Sequence, residues 1–168
     1  IGRSDTVVAS TDKGNLCHWE LLPEVRLTEV AHVSEQPITA LEYTLGNIAL
    51  IVGDARGDVS GWFRVREKEE DTDLHFVKAH SYPGQGVAIA AIAASTRDKS
   101  FVTAGNDGSM VLRHMTSERS VVSFPATGAP VDAVLLTPKM DGVIVKQKDG
   151  RVARYEISAP HPDISLRV

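Results

Sequence analysis

The sequence predicts an all-β protein, a section of a β-propeller with about three four-stranded blades and one hairpin of another. Three observations point there: a hairpin motif that occurs four times, a repeat distance suited to propeller blades, and the lack of helical periodicity. The four segments are Val7–Trp19, Ala49–Trp62, Phe101–Arg113 and Val143–Tyr155. Each reads as an apolar run, a polar turn with glycine and a second alternating run. That is hairpin chemistry, because glycine accepts the positive φ of a tight turn. The turn glycines Gly14, Gly57, Gly108 and Gly150 are spaced by 43, 51 and 42 residues. Five residues after each glycine stand Trp19, Trp62, Arg113 and Tyr155. A period near ~42 with a large side chain closing the hairpin fits propeller blades, not a helical solenoid. No stretch carries an apolar i, i+3, i+4, i+7 stripe over three turns, and the β-branched content favours strands.

Each element follows in order. Thr6–Ser10 opens the first hairpin, and residues 1–22 are the outer hairpin of an incomplete blade. Ile38–Tyr43, Val87–Ala94 and Val131–Leu136 are apolar runs ahead of each later hairpin, suited to strands buried on both faces. Val25–Ala31, Leu74–Ala79 and Ser120–Phe124 are expected as the innermost strands. These divide residues 23–158 into blades at about 25–66, 72–115 and 119–157, with 159–168 as a connector. The long middle interval holds a charged insertion, Arg66 to Asp73.

Composition limits function. Hydrophobic residues at 42% and charged residues at 24% describe an ordinary globular chain, not a disordered one. A net charge of −4 with no basic run gives nucleic acid no phosphate-binding stripe. The single cysteine, Cys17, allows no intrachain disulfide and leaves the compartment open. The 168 residues fall short of the ~300 that seven blades of ~40–45 residues need, so the chain reads as part of a longer protein.

The residue pattern resembles the WD40 family. His32 and His80 stand where those repeats carry Gly-His, and Asp98 and Asp141 stand where they carry a turn aspartate. The chain departs from the family in having Ala-His in place of Gly-His and in lacking Trp-Asp. The resemblance implies that His80 and Asp98 link turns within a blade, a structural duty. A closer similarity rests on Asp71–Gly86, Ser95–Phe101, Thr116–Ser120 and His161–Val168. These stretches look like segments of the WD40-like domain inserted in bacterial phosphate-type ABC transporter permeases. That resemblance implies a non-catalytic accessory domain on the periplasmic face of the inner membrane. Its protein partners would be a periplasmic substrate-binding protein or its own permease. The alternative is a cytoplasmic scaffold for complex assembly.

Tyr82, set among Pro83, Gly84 and Gly86, and Glu69 and Glu70 in the insertion are the candidate partner contacts; the alternatives are a tyrosine that packs down locally and a charge run that is simply solvated. No catalytic, cofactor or metal site is expected. His75 and His80 are five apart on a strand and point to opposite faces, as do the adjacent Cys17 and His18. No nucleophile elbow, P-loop or dinucleotide fingerprint occurs. Open blade faces are expected to make the isolated chain self-associate.

Overall fold

The computed structural model describes residues 5–66 and 73–157 and the backbone of 162–167. Among the described residues fifteen strands form four antiparallel sheets in an open arrangement. The first sheet has three strands, β1 (Thr6–Ser10), β2 (Asn15–Glu20) and β3 (Arg26–His32). The second runs β4 (Ile38–Tyr43), β5 (Leu50–Asp54), β6 (Val59–Val65) and β7 (His75–Tyr82). The third runs β8 (Ile89–Ala94), β9 (Ser100–Gly105), β10 (Met110–His114) and β11 (Ser117–Phe124). The fourth runs β12 (Val131–Leu136), β13 (Gly142–Gln147), β14 (Arg151–Glu156) and β15 (Pro162–Arg167). Among the described residues the one helical turn is a 3₁₀ turn, Leu45–Asn47.

The four expected hairpins are β1–β2, β5–β6, β9–β10 and β13–β14. Gly14, Gly57, Gly108 and Gly150 all take positive φ, from 74° to 94°. At Gly14 a side chain is also excluded by space, since its Cβ would lie 1.7 Å from the Ser34 carbonyl oxygen. That carbonyl belongs to the loop crossing to the second sheet, and Val33 N–H donates to Gly14 O at 2.9 Å. The hairpin turn thus holds the inter-sheet loop, and Gln85 N–H on Gly57 O repeats the contact at 3.0 Å.

Sheets stack face to face, and each interlayer is a separate apolar cluster. Leu16, Ile38, Leu50, Val52, Trp62 and Phe76 fill the space between the first and second sheets. Ile51, Val59, Tyr82, Ile89, Ile92 and Phe101 fill the next. Val102, Met110, Leu112, Phe124, Val134, Val143 and Tyr155 lie in the third. β8 packs beside β4, and β12 beside β8.

The strand grouping expected from the sequence needs correction. Val25–Ala31, Leu74–Ala79 and Ser120–Phe124 are not innermost. They fall in β3, β7 and β11, which pair backward onto β2, β6 and β10 as outer edges. The sheets therefore span 38–82, 89–124 and 131–167, not the ranges read from the repeat. Residues 1–22 are likewise not a bare hairpin, because β3 completes a three-stranded sheet. Pro162–Arg167 is not connector but pairs antiparallel with β14. The physical reason is exposure: β3, β7 and β11 carry charges and lie largely in solvent, as edge strands do.

Candidate functional site

The large residues that close the hairpins share one local cause. Between the last two strands of every sheet the register shifts at Trp19, Trp62, Arg113 and Tyr155. A bulge there twists the outer strand and turns the large side chain against the sheet. Trp62, Arg113 and Tyr155 are buried and Trp19 is half-buried.

Of the two readings of Tyr82, the structure fits the locally packed one, since the side chain is buried. It is 6% exposed, its hydroxyl donates to the Met115 carbonyl at 2.8 Å, and its ring meets Phe101 edge-on at 5.1 Å. Burial pushes its hydroxyl up to about 12, against the opposing pull of Arg113. Tyr82 is therefore a tie between the second and third sheets. Glu69 and Glu70 lie outside the described residues.

His80 and Asp98 have separate partners and no hydrogen bond to each other among the described residues. The His80 ring nitrogen approaches Glu118 at 3.8 Å, joining β7 to β11, and the ring lies 6.5 Å from Phe63. Asp98 accepts from Ser100 N–H at 2.8 Å in the β8–β9 turn. Burial works to raise its carboxyl, but the hydrogen bonds of Ser100 and Ser95 win and hold it below the usual range. The turn acid that spans two sheets is Asp54, three residues before a turn glycine. Its Oδ1 accepts the N–H groups of Arg56, Gly57 and Asp58 at 2.9–3.0 Å, and its Oδ2 accepts from Ser34 Oγ at 2.7 Å. His32 bridges Asn15 at 2.9 Å and Glu35 at 3.2 Å at the rim of the same loop.

A polar cluster joins the first and second sheets, and sequence reasoning missed it. His18 on β2 is 2% exposed. Arg64 Nη1 lies 2.9 Å from His18 Nε2. A guanidinium only donates, so Nε2 accepts and Nδ1 carries the proton. Nδ1–H then donates to Thr28 Oγ1 at 2.6 Å, and that hydroxyl donates to the His18 carbonyl at 3.1 Å. Burial first, and Arg64 second, push the imidazole below its ordinary value. Arg64 also donates to the Leu74 carbonyl, stacks 5.6 Å from Phe76 and faces Glu29 at 3.7 Å. Glu29 Oε1 accepts from Phe76 N–H at 2.8 Å. The signals available in the sequence were an acidic residue, Glu29, in the stretch that forms β3 and a lone arginine, Arg64, in the stretch that forms β6. Nothing local says that the two meet.

Beside the cluster a cleft of about 570 Å³ is lined by His18, Glu20, Leu22, Tyr43, Trp62 and Arg64. A second groove of about 580 Å³ runs along the same two sheets, past His32, Asp54, Arg56, Asp58, Trp62 and Lys78. Both are open and mixed in charge, which suits a surface for a polypeptide better than one for a small anion. Among the described residues no group of three His, Cys, Asp or Glu side chains is arranged to hold a metal. No described helix is long and apolar enough to cross a membrane.

Arg113 is buried as well. It is 1% exposed, Nε donates to Thr103 Oγ1 at 3.2 Å, and Nη1 has no hydrogen-bond partner. Burial pushes the guanidinium down to about 10, and Tyr82 acts in the opposite sense.

No protein-family model matches the chain, and no curated protein sequence is similar to it. The fold is similar to a crystal structure of the computationally designed Ika8 protein, with a TM-score of 0.77 and 15% identity. The match covers 99% of this chain and 47% of that one, so the chain spans about half the length of the designed protein. At this identity the likeness is one of fold alone.

Proposed function

We propose that these sheets are blades of a WD40-like β-propeller acting as a non-catalytic interaction domain, the accessory module of a phosphate-type ABC permease. The observation that carries the propeller reading is the array itself. Four meander sheets follow one another in chain order, with the first strands of the last three side by side. Propellers present partners with the loops and rims of such arrays, and both open grooves lie along the junction of two sheets. The transporter setting is supported by the resemblance of residues 71–86, 95–101, 116–120 and 161–168 to the domain inserted in those permeases.

The test is an in-frame deletion of these residues from the gene that encodes them, with phosphate uptake and membrane fractionation of the intact product as readouts. A membrane-bound product whose deletion form alters uptake supports the reading. A product recovered without membranes, with uptake unchanged, overturns it in favour of a scaffold.

A further inference from the structure

Two atoms of opposite charge at the joint of the first and second sheets face each other without bonding. Arg64 Nε and Glu29 Oε2 are both buried, have no hydrogen-bond partner among the described residues and lie 3.7 Å apart. That gap is too long for a hydrogen bond. The other atoms of the pair are engaged. Arg64 gives Nη1 to His18 Nε2 at 2.9 Å and Nη2 to the Leu74 carbonyl. Glu29 Oε1 takes the Phe76 N–H at 2.8 Å. The guanidinium thus serves a neutral imidazole while a carboxylate waits about 1 Å beyond bonding distance, although a bond between two ions is roughly twice as strong.

The bond to His18 exists only while the imidazole is neutral. Nδ1–H is donated to Thr28 Oγ1 at 2.6 Å, which leaves Nε2 as the acceptor. A proton added at Nε2 sets two donors 2.9 Å apart, each on a cation. The surrounding charges are few. On β1, Val8 stands opposite His18, and Asp5 just ahead of that strand lines the same cleft. β2 brings Glu20, already paired with Arg26 at 3.0 Å. β3 brings Glu29, directly opposite His18 in register. β4 brings Tyr43, whose hydroxyl is pushed up by burial. β6 brings Arg64, and β7 brings the Phe76 ring and His75, whose Nδ1 lies 3.9 Å from Glu29 Oε1.

We infer that His18 is a pH-operated latch: a proton at Nε2 releases Arg64, whose Nε–H then closes on Glu29 Oε2. The guanidinium passes from β2 to β3, and the two arrangements are the two states of the device. Burial first, and Arg64 second, hold the imidazole below its ordinary 6.5, while Glu20 works the other way. The latch is therefore shut at neutral pH and opens in acid. Glu29 keeps the Phe76 N–H in both states, so the sheets stay joined. The cleft of about 570 Å³ beside His18 then exchanges a neutral imidazole for an imidazolium, one positive charge added to its wall. The latch needs nothing of the transporter setting.

The test is an NMR titration of the ¹⁵N-labelled 168-residue protein from about pH 7.5 to about pH 5, following the His18 ring nitrogens and the Arg64 Nε–H resonance. The Arg64 resonance is expected to move downfield, as a newly bonded N–H does, with the same midpoint as His18 Nε2. His18→Gln, which keeps an acceptor for Arg64, should lose that move. Glu29→Ala should lose it while His18 still titrates, and His75→Gln should leave both responses as they are. An Arg64 resonance that stays still while His18 titrates overturns the latch. So does a move of equal size in His18→Gln, which would hand the response to His75 or to another acid. A His18 ring that remains neutral down to the pH at which the protein unfolds overturns it too, and that outcome needs no variant.

Discussion

Arg113 occupies the position that holds Trp62 or Tyr155 in the neighbouring sheets, yet it brings a charge into an apolar interlayer. Its Nη1 is unpartnered, and its one side-chain bond goes to a neutral hydroxyl. Replacing a poorly compensated buried ion by an apolar side chain of similar size is commonly neutral or stabilising by ~1–4 kcal/mol. Arg113→Met is expected to raise stability by about 1–3 kcal/mol in urea unfolding. A loss of stability would mean that the guanidinium holds the Tyr82 layer together. His18 gives a second outcome at this scale. Its folded-state value lies below the ordinary 6.5, so the unfolded chain takes up the proton first. The stability that His18 confers is therefore steady above about pH 6.5 and falls as the pH drops through that value. His18→Gln keeps an acceptor for Arg64 and a donor for Thr28 but cannot titrate. Its urea midpoint should fall less than that of the parent between pH 7.5 and pH 5.5, because the substitution removes the imidazole from the acid limb. Equal falls in the two proteins would assign that limb to other groups.

At the scale of elements, joints between consecutive sheets are made by turns and loops as well as by apolar layers. Asp54 is 4% exposed and accepts three backbone N–H groups and the Ser34 hydroxyl. Asp54→Ala leaves these donors without an acceptor in a buried turn and should cost about 2–4 kcal/mol, seen as a lower Tm. Asp54→Asn keeps one acceptor oxygen and should recover a good part of that loss. If both variants melt together, the carboxylate charge and not the turn geometry is what matters. The hairpins were legible in the sequence because turn glycine and alternation are local signals. Grouping of the strands was not, since a repeat read along the chain does not say whether its odd strand pairs forward or back. The polar and charged side chains of Arg26 and Glu29, His75 and Lys78, and Glu118 and Arg119 mark β3, β7 and β11 as edges, and that was the signal to weigh. The His18–Arg64–Glu29 cluster was illegible for another reason. It forms only when β2, β3 and β6 meet across two sheets.

For the whole molecule, an open array leaves its terminal sheets with fewer neighbours than the inner ones. Leu22, Val25, Leu27 and Val30 on or beside β3 are 49–73% exposed, a concentration of apolar surface on the first sheet. Burying ~500 Å² at ~25 cal/mol per Å² is worth up to ~12 kcal/mol before association costs. That figure is an upper bound, and the freedom lost on association takes back much of it, which leaves a weak dimer. Sedimentation velocity at rising concentration should therefore show a dimer that Leu27→Lys with Val30→Lys weakens strongly. These two residues lie on β3, at the opposite edge of the sheet from β1. A chain that stays monomeric at high concentration would show instead that the exposed aliphatic side chains on the first sheet do not form a contiguous surface able to hold two copies together.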